Sequence, residues 1–250
     1  MEGTLVPFEN KLLAFRALKQ GLRFSYDNWR MWYNYMVVSM DVGELSEACR
    51  ALARVVEETG DKVGAEAVDE DVLDRLVNAV TRAPAAPEEG ERPGLGEGIA
   101  GVTSPNEGQG LSRNVAGLFE KTILPRVSSG RIFRAYARLL TWQSRWGDAL
   151  KAYMDAYRSG VAGTMDDTVG GDEGLEKWRE AVREVEETVD VLINFGPRVR
   201  QEQGGKGKKW RNQGRSIVKG FMRRTRGMGF EDSVEWERLV ALEESLRNED

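Results

Sequence analysis

Apolar residues return at steps of three and four along most of this chain. Leu175, Trp178, Val182, Val185, Val189 and Leu192 lay one apolar stripe along a helix of about twenty residues, with Glu180, Arg183, Glu184, Glu187 and Asp190 on the opposite, solvent-facing side. The Gly196-Pro197 pair is expected to end that helix, because proline has no N–H to continue the ladder. Residues 72–82 and 111–127 carry the same helical pattern. No segment sustains the period-two alternation of a half-buried strand, so the expected fold class is all-α.

Three stretches interrupt the periodicity. Residues 83–110 hold Pro84, Pro87, Pro93, Gly94, Gly96 and Pro105 with few apolar side chains to bury, the composition of a flexible surface insertion. Its Gly94-Leu95-Gly96-Glu97-Gly98 run has neither the spacing nor the preceding strand of a phosphate-binding loop. Residues 161–174 form a second, acidic break with Asp166, Asp167, Asp172 and Glu173, and Gly204-Gly205-Lys206-Gly207 separates the last two helical patterns. The expected organisation is helical repeats over 1–82, an insertion over 83–110, a further repeat over 111–160, a loop over 161–174 and C-terminal capping helices over 175–250.

The helical segments also repeat. Ala14 and Ala48 lie 34 residues apart, with Leu18 and Leu52 in the same register, and 34 residues is the tetratricopeptide period. With Ala48 as the small residue of a second helix, Trp32 takes the large aromatic position of the first, Tyr35 the next bulky one, Gly43 the turn, and Leu52 a later packing position. The template fits again at Phe133, Tyr136, Ala149, Tyr153 and Ala156. A small side chain lets two antiparallel helices approach closely, and a large one fills the space between units. The expected architecture is a tetratricopeptide-like superhelix, or solenoid. Residues 11–23 fit a second helix whose first helix is missing, which leaves a face of Leu12, Phe15, Leu18 and Leu22 without cover. That pattern is expected of a C-terminal fragment or truncated product, or of a face that packs on another chain.

Composition narrows the chemistry. The 250 residues contain no histidine and one cysteine, Cys49. Histidine-based acid–base or triad catalysis, Cys/His zinc sites and an intrachain disulfide are therefore excluded, and no catalytic, cofactor-binding or metal-binding residue is expected. No apolar run reaches membrane-spanning length. The start lacks a secretory pattern, so a reducing compartment is expected, the cytoplasm and also the nucleus.

Against this background certain runs are familiar. Arg16-Ala17-Leu18-Lys19, Tyr26-Asp27-Asn28-Trp29-Arg30-Met31-Trp32-Tyr33-Asn34-Tyr35 and Ser39-Met40-Asp41-Val42-Gly43-Glu44 resemble the C-terminal repeat region of the tetratricopeptide repeat domain protein 27 family. The resemblance runs over residues 10–246 and covers that family's last third. It implies a non-enzymatic helical solenoid that works through protein partners, associated with Hsp90-linked assembly of the U5 spliceosomal particle and, in fungi, with cell-wall integrity.

Candidate partner-binding residues fall in two groups. Trp29 and Tyr33 stand where first helices line a concave groove. Asn34 and Arg131 occupy positions suited to a clamp on a C-terminal carboxylate, but Ala135 stands where such a clamp needs arginine, so a chaperone link is expected to be indirect. The second group is basic. Lys208, Lys209, Arg211, Arg215, Lys219 and Arg223 line one stretch, the last four at steps of four, with Trp210 available to stack on a base. This stripe suits intramolecular pairing with the acids after residue 230, an acidic protein partner, or RNA. Trp142, Trp146 and Trp178 read as packing residues, and Cys49 as a buried apolar one. The functional expectation is a non-catalytic protein-interaction scaffold, an assembly or chaperone-associated factor; the alternative is an RNA-contacting ribonucleoprotein factor.

Overall fold

The computed structural model describes residues 7–82, 105–165, 171–202 and 210–247, and among these every regular element is helical. No helix among them is long and apolar enough to cross a membrane. The chain forms two compact units, Met1–Ser128 and Ser129–Asp250.

The first unit is built on the hairpin of α2 (Trp29–Val42) and α3 (Leu45–Val63). Asn28 starts α2 by accepting the N–H groups of Arg30 and Met31 on its side chain, and Gly43 ends it in the left-handed conformation at φ 83°. A side chain there would be strained, which is why the turn position is glycine. Ala48 and Leu52 on α3 are fully buried, as are Met36 and Ser39 on α2; Ser39 returns its hydroxyl to the Tyr35 carbonyl at 2.6 Å. Trp32 is buried, and its indole N–H donates to the Tyr26 carbonyl at 2.6 Å.

Helix α1 (Phe8–Gly21) docks on this hairpin. The expectation that Phe15 and Leu22 lack cover is corrected: both are buried, and the Phe15 ring stacks on Tyr35 with centroids 5.3 Å apart. Ion pairs Lys11–Asp41 at 3.0 Å and Lys19–Glu47 at 2.9 Å tie α1 down. Ala14, Leu12 and Leu18 stay partly open. Asp69 caps α4 (Glu70–Thr81) through the Val72 N–H. Helix α5 (Pro105–Gly117) begins inside the stretch expected to be insertion, with proline at its first position, where the missing N–H has no partner to lose. Residues 83–104, the rest of that stretch, lie outside the described residues. At Leu118–Ile123 the helix widens into a π-helical turn, in which the Leu124 N–H reaches back five residues to the Phe119 carbonyl.

In the second unit α6 (Gly130–Trp142) and α7 (Trp146–Ser159) form the corresponding hairpin. Ala137, Leu140, Ala149 and Ala156 are buried, while Phe133, Tyr136 and Tyr153 are half-buried. The segment expected to be a loop over 161–174 contains the short α8 (Val161–Thr164) and the first turn of α9 (Gly171–Glu202), and residues 166–170 lie outside the described set. Glu184, expected on the solvent side of α9, is only 5% exposed. Its carboxylate pairs with Arg134 at 2.6 Å and accepts the Ala162 N–H at 2.8 Å. Gly160 makes the room: a Cβ there would stand 2.6 Å from the Glu184 carboxylate, and a Cβ on Gly130 would stand 2.8 Å from the Gly160 Cα.

Helix α9 also runs through Gly196 and Pro197, where the sequence predicts a stop. Packing outweighs the lost N–H: Leu192 and Val199, on either side of the proline, are both buried in a cluster with Leu150. Gly196 admits the Trp210 ring, which would collide with any side chain at that position. Helices α10 (Trp210–Thr225) and α11 (Val234–Ser245) close the unit around Trp178. That indole is fully buried, stacks on Phe221 and Phe230, and donates to Ser233 Oγ at 3.2 Å. Trp146 is half-buried against Phe195, as expected of a packing residue, whereas Trp142 is 44% exposed because it ends α6 at the turn.

Two consequences are measurable by urea unfolding of the chain. Glu184→Ala leaves Arg134 without its buried partner and lowers stability by about 2–4 kcal/mol. Gly160 has an ordinary φ of −85°, so Gly160→Ala is destabilising through collision with Glu184, and the double variant loses less than the two single losses added together. Strict additivity would contradict this packing. Trp210→Ala lowers stability by about 2–3 kcal/mol, as removal of a half-buried indole from a core does; an unchanged midpoint would mean that the ring is not part of the core.

Candidate functional site

The first unit leaves a groove open between α1 and α2. α1 supplies Ala14, Ala17, Leu18 and Gly21, and α2 supplies Met31, Asn34, Val37 and Val38, around an open volume of about 790 Å³. Small residues on α1 keep the floor shallow, and Val37, 38% exposed, stands on the α2 side. Apart from Asn34 and Tyr33, the lining is aliphatic or small and leaves apolar area in water, where it favours association. Ala14 and Leu18, assigned to repeat packing by register, are therefore at once packing residues and groove lining.

The aromatic candidates sit along this same helix. Trp29 is 41% exposed with the Arg30 guanidinium 5.4 Å from its ring centroid. Tyr33 lines the groove and is tied at its far end, its hydroxyl donating to Asp69 Oδ2 at 3.1 Å. That hydrogen bond, and then the charge of Asp69, raise the phenol above its usual value. Below the groove, burial and then the Glu47 charge raise the Tyr35 phenol. Burial also pushes the Glu47 carboxyl upward, but the Lys19 hydrogen bond and the Arg50 charge outweigh it and hold that carboxyl below its usual value. Burial alone pushes the Cys49 thiol up to about 12, which fits the reading of an inert apolar residue.

The carboxylate-clamp positions fall in different units. Asn34 is exposed in the first unit, Arg131 is exposed at the start of α6 in the second, and Ala135 is buried. The basic stripe fares differently. Lys208 and Lys209 lie outside the described residues. Arg215 donates to Glu243 at 2.5 Å and Lys219 approaches the same carboxylate at 3.3 Å. The Arg215 hydrogen bond is the main reason that the Glu243 carboxyl lies below its usual range. Arg211 is half-buried and Arg223 exposed. Trp210, a candidate for base stacking, packs instead beside Leu192 and Val199 against Gly196. Two members of the stripe, Arg215 and Lys219, thus tie α10 to α11 through Glu243. Sequence reasoning missed Ala17, Val37 and Val38 as groove lining. Two alanines and a glycine on one side of α1 were the available signal.

With the geometry in hand, comparison with known proteins bears on the fold. Over 235 residues, 94% of this chain and 26% of the relative, the sequence is 29% identical to a TPR repeat-containing protein of Schizosaccharomyces pombe. Over 239 residues, 91% of this chain and 23% of the relative, it is 28% identical to the Saccharomyces cerevisiae protein named "Essential for maintenance of the cell wall protein 1". A 69-residue stretch, 28% of this chain and 8% of the relative, is 35% identical to the tetratricopeptide repeat-containing protein trd-1 of Caenorhabditis elegans. The chain spans about a quarter of the length of the first two relatives. No family model and no solved structure matches it. Helix hairpins closed at Ala48 and Ala149, together with this likeness to tetratricopeptide repeat proteins, support a tetratricopeptide family and give the chain an all-α, tetratricopeptide-like fold.

Proposed function

We propose that this chain is the C-terminal helical-repeat portion of a non-catalytic protein-interaction scaffold, as the resemblance to the tetratricopeptide repeat domain protein 27 family implies. In this reading it serves Hsp90-linked assembly of a spliceosomal particle, in the cytoplasm and the nucleus. The observation that carries the scaffold reading is the open apolar groove between α1 and α2. Its occupant is an amphipathic helix: the lining residues Ala14, Leu18 and Gly21 step by three and four along α1, and Val37 and Val38 face the groove from α2, a seat with the period of a helix. Likeness to tetratricopeptide repeat proteins favours protein partners. Pairing of Arg215 and Lys219 with Glu243 removes cations from the surface that an RNA would use, so the alternative of an RNA-contacting ribonucleoprotein factor is the weaker one.

Two measurements test this. The isolated chain is expected to bind an apolar dye such as anilinonaphthalene sulfonate or to self-associate in light scattering, and Val37→Asp reduces either signal by about half while leaving the urea midpoint nearly unchanged, because the site is at the surface. A monomer that takes up no dye would count against the groove. Affinity purification of the full-length protein with mass spectrometry is expected to recover chaperone and particle-assembly components that survive nuclease treatment; recovery abolished by nuclease would favour the RNA alternative.

A further inference from the structure

A second surface of the first unit has a different chemistry. The cleft between α3 and the α5 segment, about 570 Å³, is lined by four cations: Arg50 from α3, Arg113 from α5, Lys121 from the π-helical turn that follows it, and Arg126 just beyond that turn. This is notable in a chain of formal net charge −5. Arg50 has Glu47 at 3.3 Å, a carboxylate already shared with Lys19, and Arg126 has Asp61 only at 3.8 Å. The acid in the lining, Glu57, is taken by Arg54 at 2.8 Å. Arg113 and Lys121 are exposed and have no ion pair among the described residues. The π-helical turn supplies Lys121 and Thr122 to the cleft wall.

From this we infer that the α3–α5 cleft binds an acidic peptide segment of a partner protein. Arg113 and Lys121, without an ion pair among the described residues, together with Arg50 on a shared carboxylate and Arg126 only 3.8 Å from its own, leave a net positive field in the cleft, strongest where low-dielectric walls confine it. Between the cations the cleft shows Ala53 and Gly117, small residues that let an extended backbone lie close, and Leu118, an apolar contact. No aromatic ring lines the cleft among the described residues, so it has no platform for the base stacking by which proteins hold single-stranded nucleic acid. Carboxylates spaced by small or aliphatic side chains match it better than a phosphate backbone. The cleft is separate from the α1–α2 groove and extends the scaffold reading to a second, charge-selected contact.

The test is fluorescence anisotropy on the full chain with a labelled peptide of alternating glutamate and alanine, at low and at physiological salt. Micromolar binding that weakens with added salt is expected. The double variant Arg113→Glu/Lys121→Glu weakens it by about tenfold or more, whereas Arg16→Glu, half that charge change and placed on α1 outside the cleft, weakens it by about twofold or less. Circular dichroism melts of the variants, expected to match the parent because these side chains are exposed, separate binding from folding. Val37→Asp is expected to leave peptide binding intact, so failure at the cleft and failure at the groove are read independently. Undetectable peptide binding, equal loss in Arg16→Glu and the cleft variant, or a labelled oligouridylate bound as tightly as the peptide, would each overturn the inference.

Discussion

Two helices lie only as close together as the side chains at their crossing permit. Alanine and glycine occupy the crossings in both units. Ala48 is fully buried in the α2/α3 hairpin, Ala137 and Ala149 in the α6/α7 hairpin, and Gly130 meets Gly160 where a single methyl group would collide. Close approach gives each hairpin dense contact at its middle, and the large residues are displaced to its edges, where they must find cover from the next helix. Phe15 stacking on Tyr35, and Phe195 meeting both Trp146 and Tyr153, are that cover. In the α1–α2 groove, apolar edge residues have no such neighbour among the described residues, and the proposed docking of a helix there is the same packing rule continued to a partner.

The same constraint decides where charge can go. Because Gly160 has no side chain, the Glu184 carboxylate can enter the junction of α7, α8 and α9 and satisfy the Ala162 N–H and Arg134 together. A buried carboxylate is tolerated when it is paired and fully hydrogen-bonded. It adds specificity to the junction, since neither a shorter nor a neutral side chain meets both groups. Elsewhere, opposite charges are matched between elements: Arg179 with Glu235, Arg238 with Glu186, Arg215 with Glu243. The exposed pairs among these add little stability individually, but they leave fewer free cations on the second unit than its sequence suggests.

The hairpins were legible because their signals are local. The 34-residue register related Ala48 to Ala14, the same residue-type template placed Ala149, and a glycine at a turn is a direct statement about backbone conformation, as the φ of Gly43 shows. Long-range packing was not legible. Pro197 reads as a stop until Leu192 and Val199 are seen buried on either side of it. Glu184 reads as a solvent residue because its helix position alone cannot show Gly160 opposite it. Trp210, beside two lysines and followed by arginine, reads as part of a nucleic-acid surface, yet Gly196, 14 residues earlier, holds the space for its ring. In the candidate site, the repeat template pointed to Tyr33, which lines the groove, and to Trp29, which is exposed on the same helix but outside the lining, while the groove's small residues carried too weak a signal. The cations of the α3–α5 cleft, more than 60 residues apart in sequence at Arg50 and Arg113, form no run at all.

The two open surfaces of the first unit obey different physics, and that difference limits how a partner can be selected. Binding in the apolar groove depends on area removed from water and changes little with salt, whereas binding in the cationic cleft is screened over a Debye length of roughly 8 Å at physiological ionic strength. A single partner segment that is amphipathic and helical in one part and acidic in another would engage both, and the second contact would then form at the effective concentration set by the link between the parts. Many proteins offer a helix with an apolar face. Far fewer join one to an acidic stretch at the spacing that both surfaces require, so weak sites of unlike chemistry on one unit supply a selectivity that neither the groove's aliphatic lining nor the cleft's four cations possesses alone.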